Sequence, residues 1–398
     1  MRGIDTQVRK NRRRIFKEVA DLAYHSENLK DDMEALPYKI VNYDESEYES
    51  IYRERAIVRE QIRLAMGLSL RPENAPVHVT QGVEESNIDE KYYEPPLMQV
   101  IPSACNACPE NRYEVTNKCM GCVAHPCREV CPRGAISMVS GHSVIDQEKC
   151  IKCGKCKAVC PYDAISHQVR PCLAHCGVNA IKSDEKGRAY IDTDLCVSCG
   201  QCMVSCPFGA IADKSQIFQL IRAMQSGRKI IAQVAPSFVG QFGKNATPDK
   251  IKEALKELGF YEVYETAIGA DMGAMAEAEH YVKEVATGEL PFLLTSCCPS
   301  WSMLAKKFFP ETIDNFFFVD AAKMMDALIL PCRKGLLVWH IPILWQSAGE
   351  TGGVTHELES VDQRFEMSES GTLRVSKFGF WVERALDGTL NRSEGVGL

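Results

Sequence analysis

Apolar positions at helical spacing open the chain. Ile15, Phe16, Val19, Leu22 and Ala23 recur every three or four residues, and Arg53 to Met66 form a second charged, amphipathic stretch. The pattern predicts a helical region that, with the segment after it, fills residues 1–100. Its last third, 70–100, is polar, carries Pro72, Pro76, Pro95 and Pro96, and reads as a linker. Over 101–215 the apolar positions shrink to short pairs among small residues. Longer patterns then return. Lys229–Val234 (KIIAQV) predicts a strand, Ile251–Leu258 a helix stopped at Gly259, Tyr261–Tyr264 a strand, Met275–Val285 a helix and Phe292–Thr295 a strand. Strand and helix in alternation predict a parallel α/β layer over 225–315. From Phe316 to the end at 398 the text reads as a divergent tail, crowded with Trp339, Trp345 and Trp381. Gly349–Gly353 is a lone glycine turn without strand–helix context, so it is not read as a phosphate loop. The fold class is α+β.

Composition changes this picture little. The 398 residues are 45% hydrophobic and 25% charged with a net charge of −7, which excludes a disordered chain, a collagen and a coiled-coil rod. The mild acidity argues for no nucleic acid and no membrane surface as partner. Arg9, Lys10, Arg12, Arg13, Arg14 and Lys17 form a basic run, but Glu18 and Asp21 flank it, and a solvated helix face accounts for it. No apolar run is long enough to span a bilayer, and no apolar core follows the charged start, so a cytoplasmic location is expected.

The cysteines do change it. Of 19 in the chain, sixteen fall between Cys105 and Cys206 in tight C-x-x-C clusters, a spacing that places thiolates on a metal or cluster. Two runs carry the full C-x-x-C-x-x-C-x-x-x-C-P pattern: Cys150, Cys153, Cys156, Cys160 and Cys196, Cys199, Cys202, Cys206. That is the bacterial ferredoxin spacing for [4Fe–4S] clusters, in which three cysteines hold one cubane and the fourth crosses to another. Zinc would take two pairs rather than three plus one. Ferredoxin-type units are therefore expected at about 141–170 and 187–216. An expanded run, Cys119, Cys122, Cys127 and Cys131, and two further pairs, Cys105 with Cys108 and Cys172 with Cys176, complete the set.

Two ligations stay open. In the first, two ferredoxin-like units stand in tandem: Cys131 joins Cys150, Cys153 and Cys156, Cys160 joins Cys119, Cys122 and Cys127, and Cys176 joins Cys196, Cys199 and Cys202. Cys105, Cys108, Cys172 and Cys206 then remain for a fourth site. In the second, the two complete runs pair with each other and Cys105, Cys108, Cys119 and Cys122 make a zinc-ribbon-like site. His125, His142, His167 and His175 are nearby and read as packing or surface residues rather than ligands.

Thr295-Ser296-Cys297-Cys298-Pro299-Ser300-Trp301 follows a predicted strand and precedes a predicted helix. This heptapeptide resembles the first signature of the [FeFe]-hydrogenase active-site domain. Ala235-Pro236-Ser237, the stretch Ala270-Asp271-Met272 to Glu277, the YEPP segment Tyr93–Pro96 and the CNACPE-to-CREVCP region are similar to the group B members of that family. The resemblance implies H2 ⇌ 2 H⁺ + 2 e⁻ chemistry on a diiron H-cluster, a ferredoxin or similar electron carrier as partner, and hydrogenase maturation proteins. It implies that Cys298 is a cubane ligand, Cys297 a proton-passing thiol, Ser237 a hydrogen-bond donor to the diiron ligands, and Glu277 the first proton-path glutamate. His280 stands where the family's next glutamate falls, beside Glu279. The family's second and third signatures do not follow: only Cys332 remains, in LPCRKG, with Gly335 where a lysine belongs. The expectation is an iron–sulfur oxidoreductase of the hydrogenase lineage, catalytically impaired as written. The alternative is a non-catalytic ferredoxin-like electron-transfer protein.

Overall fold

The computed structural model describes residues 6–42, 50–87, 96–240, 242–243, 245–295 and 298–317, together with the backbone of six strand segments between 337 and 394. The first helices are α1 (Gln7–His25), α2 (Leu29–Ile40) and α3 (Ile51–Ala65). Thr6 and Ser50 cap α1 and α3 by accepting from the backbone N–H three residues on. Their apolar faces meet in one core: Val19, Leu22 and Ala23 of α1 pack with Met33 and Leu36 of α2 and Val58 and Ile62 of α3.

The segment expected to be a linker is packed instead, as far as it is described. Val79 and Val83 enter the same core, Val83 from the short helix α4 (Val83–Ser86). The buried Arg63 guanidinium donates to the carbonyls of Ser69, Val79 and Gln81 at 2.7–2.9 Å, and Arg71 pairs with Glu60 at 2.6 Å. Polar and proline-rich text hid these anchors, because a carbonyl acceptor leaves no mark in a sequence.

The cysteine-rich region is built twice. Strands β1 (Met98–Val100) and β2 (Asn111–Val115) open it, followed by α5 (Pro126–Glu129), the hairpin β3 (Ile136–Val139) and β4 (His142–Ile145), α6 (Lys155–Ala158) and β5 (Ile165–Val169). Next come α7 (Pro171–Ala174), the hairpin β6 (Ile181–Ser183) and β7 (Ala189–Ile191), α8 (Gln201–Ser205) and β8 (Ile211–Asp213). β2 pairs antiparallel with β5, enclosing one helix–hairpin–helix unit. β1 pairs antiparallel with β8, enclosing the other. The two units are nested, not in tandem: β2 to β5 is inserted between Cys108 and α7 of the outer unit.

Helix α9 (Ile217–Gln225) joins the N-terminal bundle to the α/β layer, burying Phe218 and Ile221 in the bundle core and Ala223 in the core of that layer. Phe218 is 1% exposed. Phe218→Ala is expected to cost about 3–5 kcal/mol, read as a lowered urea midpoint of the helical circular-dichroism signal.

β9 (Ile230–Val234), α10 (Pro248–Glu257), β10 (Glu262–Glu265) and α11 (Thr266–His280) give the expected alternation, with β10 parallel to β9. All five β9 residues are buried, as a central parallel strand requires. The third predicted strand does not join them. β11 (Leu294–Thr295) pairs instead with β12 (Phe316–Phe317) on either side of α12 (Pro299–Phe308). Within 316–398, β13 (Leu337–Ile341) runs parallel to β9 on its other side and β14 (Val354–Thr355) pairs with β13. β15 (Gln363–Met367), β16 (Leu373–Lys377), β17 (Phe380–Arg384) and β18 (Leu390–Glu394) form an antiparallel meander. No helix among the described residues is long and apolar enough to cross a membrane.

Candidate iron–sulfur sites

Four cysteine-bearing turns repeat one local design. The helices α5, α6, α7 and α8 each carry one buried cysteine: Cys127, Cys156, Cys172 and Cys202. Four residues later the chain has left the helix, so Cys131, Cys160, Cys176 and Cys206 point elsewhere. Each is followed at the third position by a left-handed residue: Gly134 (φ 58°), Asp163 (46°), Asn179 (54°) and Gly209 (61°). These are the types that adopt positive φ at least cost. The turn brings the next N–H back onto sulfur: Ala135 to Cys131 at 3.3 Å, Ala164 to Cys160 at 3.4 Å, Ala180 to Cys176 at 3.2 Å, and Ala210 onto Cys206. Ile136, Ile165, Ile181 and Ile211 then start the next strand, each buried. C-P/G-x-G/D/N-A-I is thus a fourfold repeat. It is written in the sequence, where the more conspicuous cysteine intervals mask it.

The C-x-x-C loops repeat as well. Ala107, Gly121, Lys152 and Ser198 precede the second cysteine of each pair, all at φ between 44° and 59°. Gly121 has a further constraint, since a Cβ there would stand 1.9 Å from the Gly141 carbonyl oxygen of the β3–β4 turn.

These turns gather the thiols by fours. Cys119, Cys122, Cys127 and Cys160 line one cavity, Cys131, Cys150, Cys153 and Cys156 another, and Cys105, Cys108, Cys172 and Cys206 a third. Burial and then the neighbouring Cys196, Cys199, Cys172 and Cys176 oppose the ionisation of Cys202; with Cys172 in the third cavity, Cys176, Cys196 and Cys199 are the thiols left beside it. In the inner unit each cavity takes three cysteines from one turn and the fourth from the other, and the outer unit repeats this. The grouping follows the first ligation. Cys105 and Cys108 do not meet Cys119 and Cys122, as the zinc-ribbon arrangement requires.

The walls are apolar and the sulfurs receive backbone N–H groups, which suits a polarisable, multi-atom anion. All described cysteines are free thiols. Burial raises the Cys172 thiol to about 11 and Cys202 to about 12, while N–H groups of Ser143 and Gly121 lower Cys119 to about 7. Iron binding therefore has to displace protons held firmly at the buried positions. No described histidine lines these three cavities. His167 stacks on Tyr113 at 4.3 Å, His142 Nδ1 lies 3.0 Å from the Cys119 carbonyl, and His175 Nδ1 lies 2.8 Å from that of Pro171.

The resemblance-derived residues are more scattered. Cys298 is exposed at the head of α12, its carbonyl accepting from Ser302 N–H at 3.1 Å. Glu277 is half-buried on α11, and burial raises its carboxyl above the ordinary value. His280 stacks on Phe317 at 4.6 Å, and Glu279 is exposed. Cys297, the Ser237 side chain, Cys332 and Tyr93 to Pro95 lie outside the described residues. α12 is tied to the outer iron–sulfur unit: Lys307 Nζ donates to the carbonyls of Thr193 at 2.9 Å and Cys196 at 2.8 Å.

Comparison with known proteins agrees with this division. Residues 228–330 match the C-terminal domain of the iron only hydrogenase large subunit, and 143–166 and 189–212 match the 4Fe-4S binding domain. Iron hydrogenase 1 of Clostridium pasteurianum is 34% identical over 181 residues, 43% of this chain and 31% of that protein. The periplasmic [Fe] hydrogenase large subunit of Nitratidesulfovibrio vulgaris is 32% identical over 182 residues, 43% of this chain and 40% of that protein. Electron transport protein HydN of Escherichia coli is 44% identical over 59 residues, 15% of this chain and 34% of that protein. The chain thus spans less than half the length of each of these relatives. It is an iron–sulfur protein of [FeFe]-hydrogenase-like build that carries [4Fe–4S] binding domains.

Proposed function

We propose that this chain is a four-cluster electron conduit attached to a hydrogenase-like α/β layer. The observation that carries the reading is the grouping of twelve cysteines into three quartets across two nested units, with Cys176, Cys196 and Cys199 left beside Cys202. When bound, a [4Fe–4S] cluster supplies one-electron redox chemistry. The chain's own residues do the rest. The αL turns aim the thiolates, the alanine N–H groups soften their charge, and the buried isoleucines keep water from the cavity walls.

The outer unit faces the α/β layer through Lys307, so the inner unit is the far end of the conduit. There Cys153 is the one exposed cysteine of the sixteen, flanked by exposed Lys152, Lys155 and Lys157. A ferredoxin or similar anionic electron carrier suits that face, because cationic side chains steer an anionic partner. Maturation proteins would be partners of the hydrogenase-like half alone.

The diiron H-cluster does not fit the described residues. Its cubane needs four thiolates, and Cys298 is the single described cysteine outside 105–206 and is exposed. Cys297, Ser237 and Glu277 are therefore read as family positions without an assigned step here.

Anaerobic reconstitution tests the conduit. About 16 irons per chain are expected from four cubanes, with reduced-state EPR spectra showing spin coupling. Stoichiometric zinc with fewer than about four irons would sink the reading.

A further inference from the structure

Arg170 stands at the neck where the inner unit rejoins the outer one, and it is 3% exposed. It is one of the residues lining the cavity of Cys105, Cys108, Cys172 and Cys206. Its guanidinium donates to the Cys108 carbonyl at 2.7 Å, to Ser183 Oγ at 2.8 Å and to the Gly187 carbonyl at 2.7 Å. All three acceptors are neutral. Among the described residues no carboxylate pairs with it directly: Asp184 and Glu73 are taken by Arg188. The nearest link to an anion is indirect, through the Ser183 hydroxyl, which donates to the exposed Glu110.

A buried cation without a counter-charge is costly, and solvated surface arginines offer no parallel. The other two described cavities hold no buried cation: only the exposed Lys155 reaches the Cys131 quartet, and no charged side chain reaches the Cys119 quartet. A cubane with four cysteinates is anionic and gains one more negative charge on reduction. The missing counter-charge is therefore the cluster itself.

We propose that Arg170 is the buried counter-ion of the cluster in the Cys105–Cys108–Cys172–Cys206 quartet and holds its potential above those of the two inner clusters. The inference rests on the four-cluster reading. Reduction adds negative charge beside a fixed positive one, so the reduced form is favoured more than the oxidised form. Electrons from the inner unit would then settle at the neck, between that unit and the cluster tied to α12. Arg170 acts through the cluster and is a positioning residue, not a catalytic one.

The experiment is an EPR-monitored redox titration of the reconstituted full chain, with Cys206→Ser identifying the signal of this quartet. Arg170→Gln is expected to move that one midpoint to lower potential and leave the other three, while Arg170→Lys keeps most of the wild-type value. Glu110→Gln, at an exposed position that folding tolerates, is expected to move the same midpoint upward, since it removes the anion linked to Arg170. In the iron-free protein Arg170→Gln is expected to resist urea at least as well as wild type, reversing the order in the loaded protein. Four loaded clusters with no midpoint moved by Arg170→Gln or Glu110→Gln would overturn the proposal and leave the conduit standing. Failure to load this quartet in the wild type would overturn both.

Discussion

Cys131→Ser is expected to destroy or convert the cluster of Cys150, Cys153 and Cys156 while the cluster of Cys119, Cys122 and Cys127 survives. Cys160→Ser should do the reverse. The reason is the turn that follows each one-turn helix. Cys127 and Cys131 are only four residues apart, yet α5 ends at Glu129 and the left-handed Gly134 swings the second sulfur to the other cavity. Serine offers a harder, less acidic ligand than thiolate, so the affected cubane should lose an iron or shift its spectrum. Cys206→Ser should spare both inner clusters and strike the one beside Cys105, Cys108 and Cys172. Mössbauer or EPR spectra of the three variants decide this. If Cys206→Ser perturbs the cluster of Cys150 instead, the two complete runs are paired with each other and the nested arrangement is wrong.

Three of the groupings of three were legible in the sequence because they are local: a thiolate loop of seven to nine residues must close on one cluster wherever it sits. The fourth member of each quartet was legible only by analogy with crossed ferredoxins. The nesting was not legible at all. Cys108 and Cys172 are brought to one cavity by β1–β8 and β2–β5 pairing, and strands of three to five residues carry too little pattern to announce partners 50 to 115 residues away. Arg170 was equally silent, since a buried guanidinium and a surface one are spelled alike. In the α/β half, β9 and β10 were readable from their apolar runs. β11 was drawn off by Phe316 and Phe317, a competition between partners that no local signal encodes.

The 398-residue chain is expected to pass electrons to dyes through its clusters but to evolve no H2 from reduced methyl viologen, even after maturation with the diiron cofactor. Four thiolates are required for a cubane beside the signature heptapeptide, and an incompletely ligated corner is labile. Sixteen cysteines are already grouped by fours between 105 and 206, so lending one to Cys298 would strip an electron-transfer cluster. Cys298 itself is exposed, whereas a cofactor that moves protons and electrons together needs a dry, fixed surround. Gly335 follows Cys332 where the family pattern has a lysine, which removes a cationic donor for the diiron ligands. Burial raises the Glu277 carboxyl above its ordinary value, and Cys297, the thiol it would serve, lies outside the described residues. Gas chromatography of the head space, run beside a viologen-oxidation assay on the same sample, separates electron transfer from hydrogen turnover. Sustained H2 that disappears in Cys298→Ala would show that residues beyond the described ones complete the site, and that the chain is a working hydrogenase.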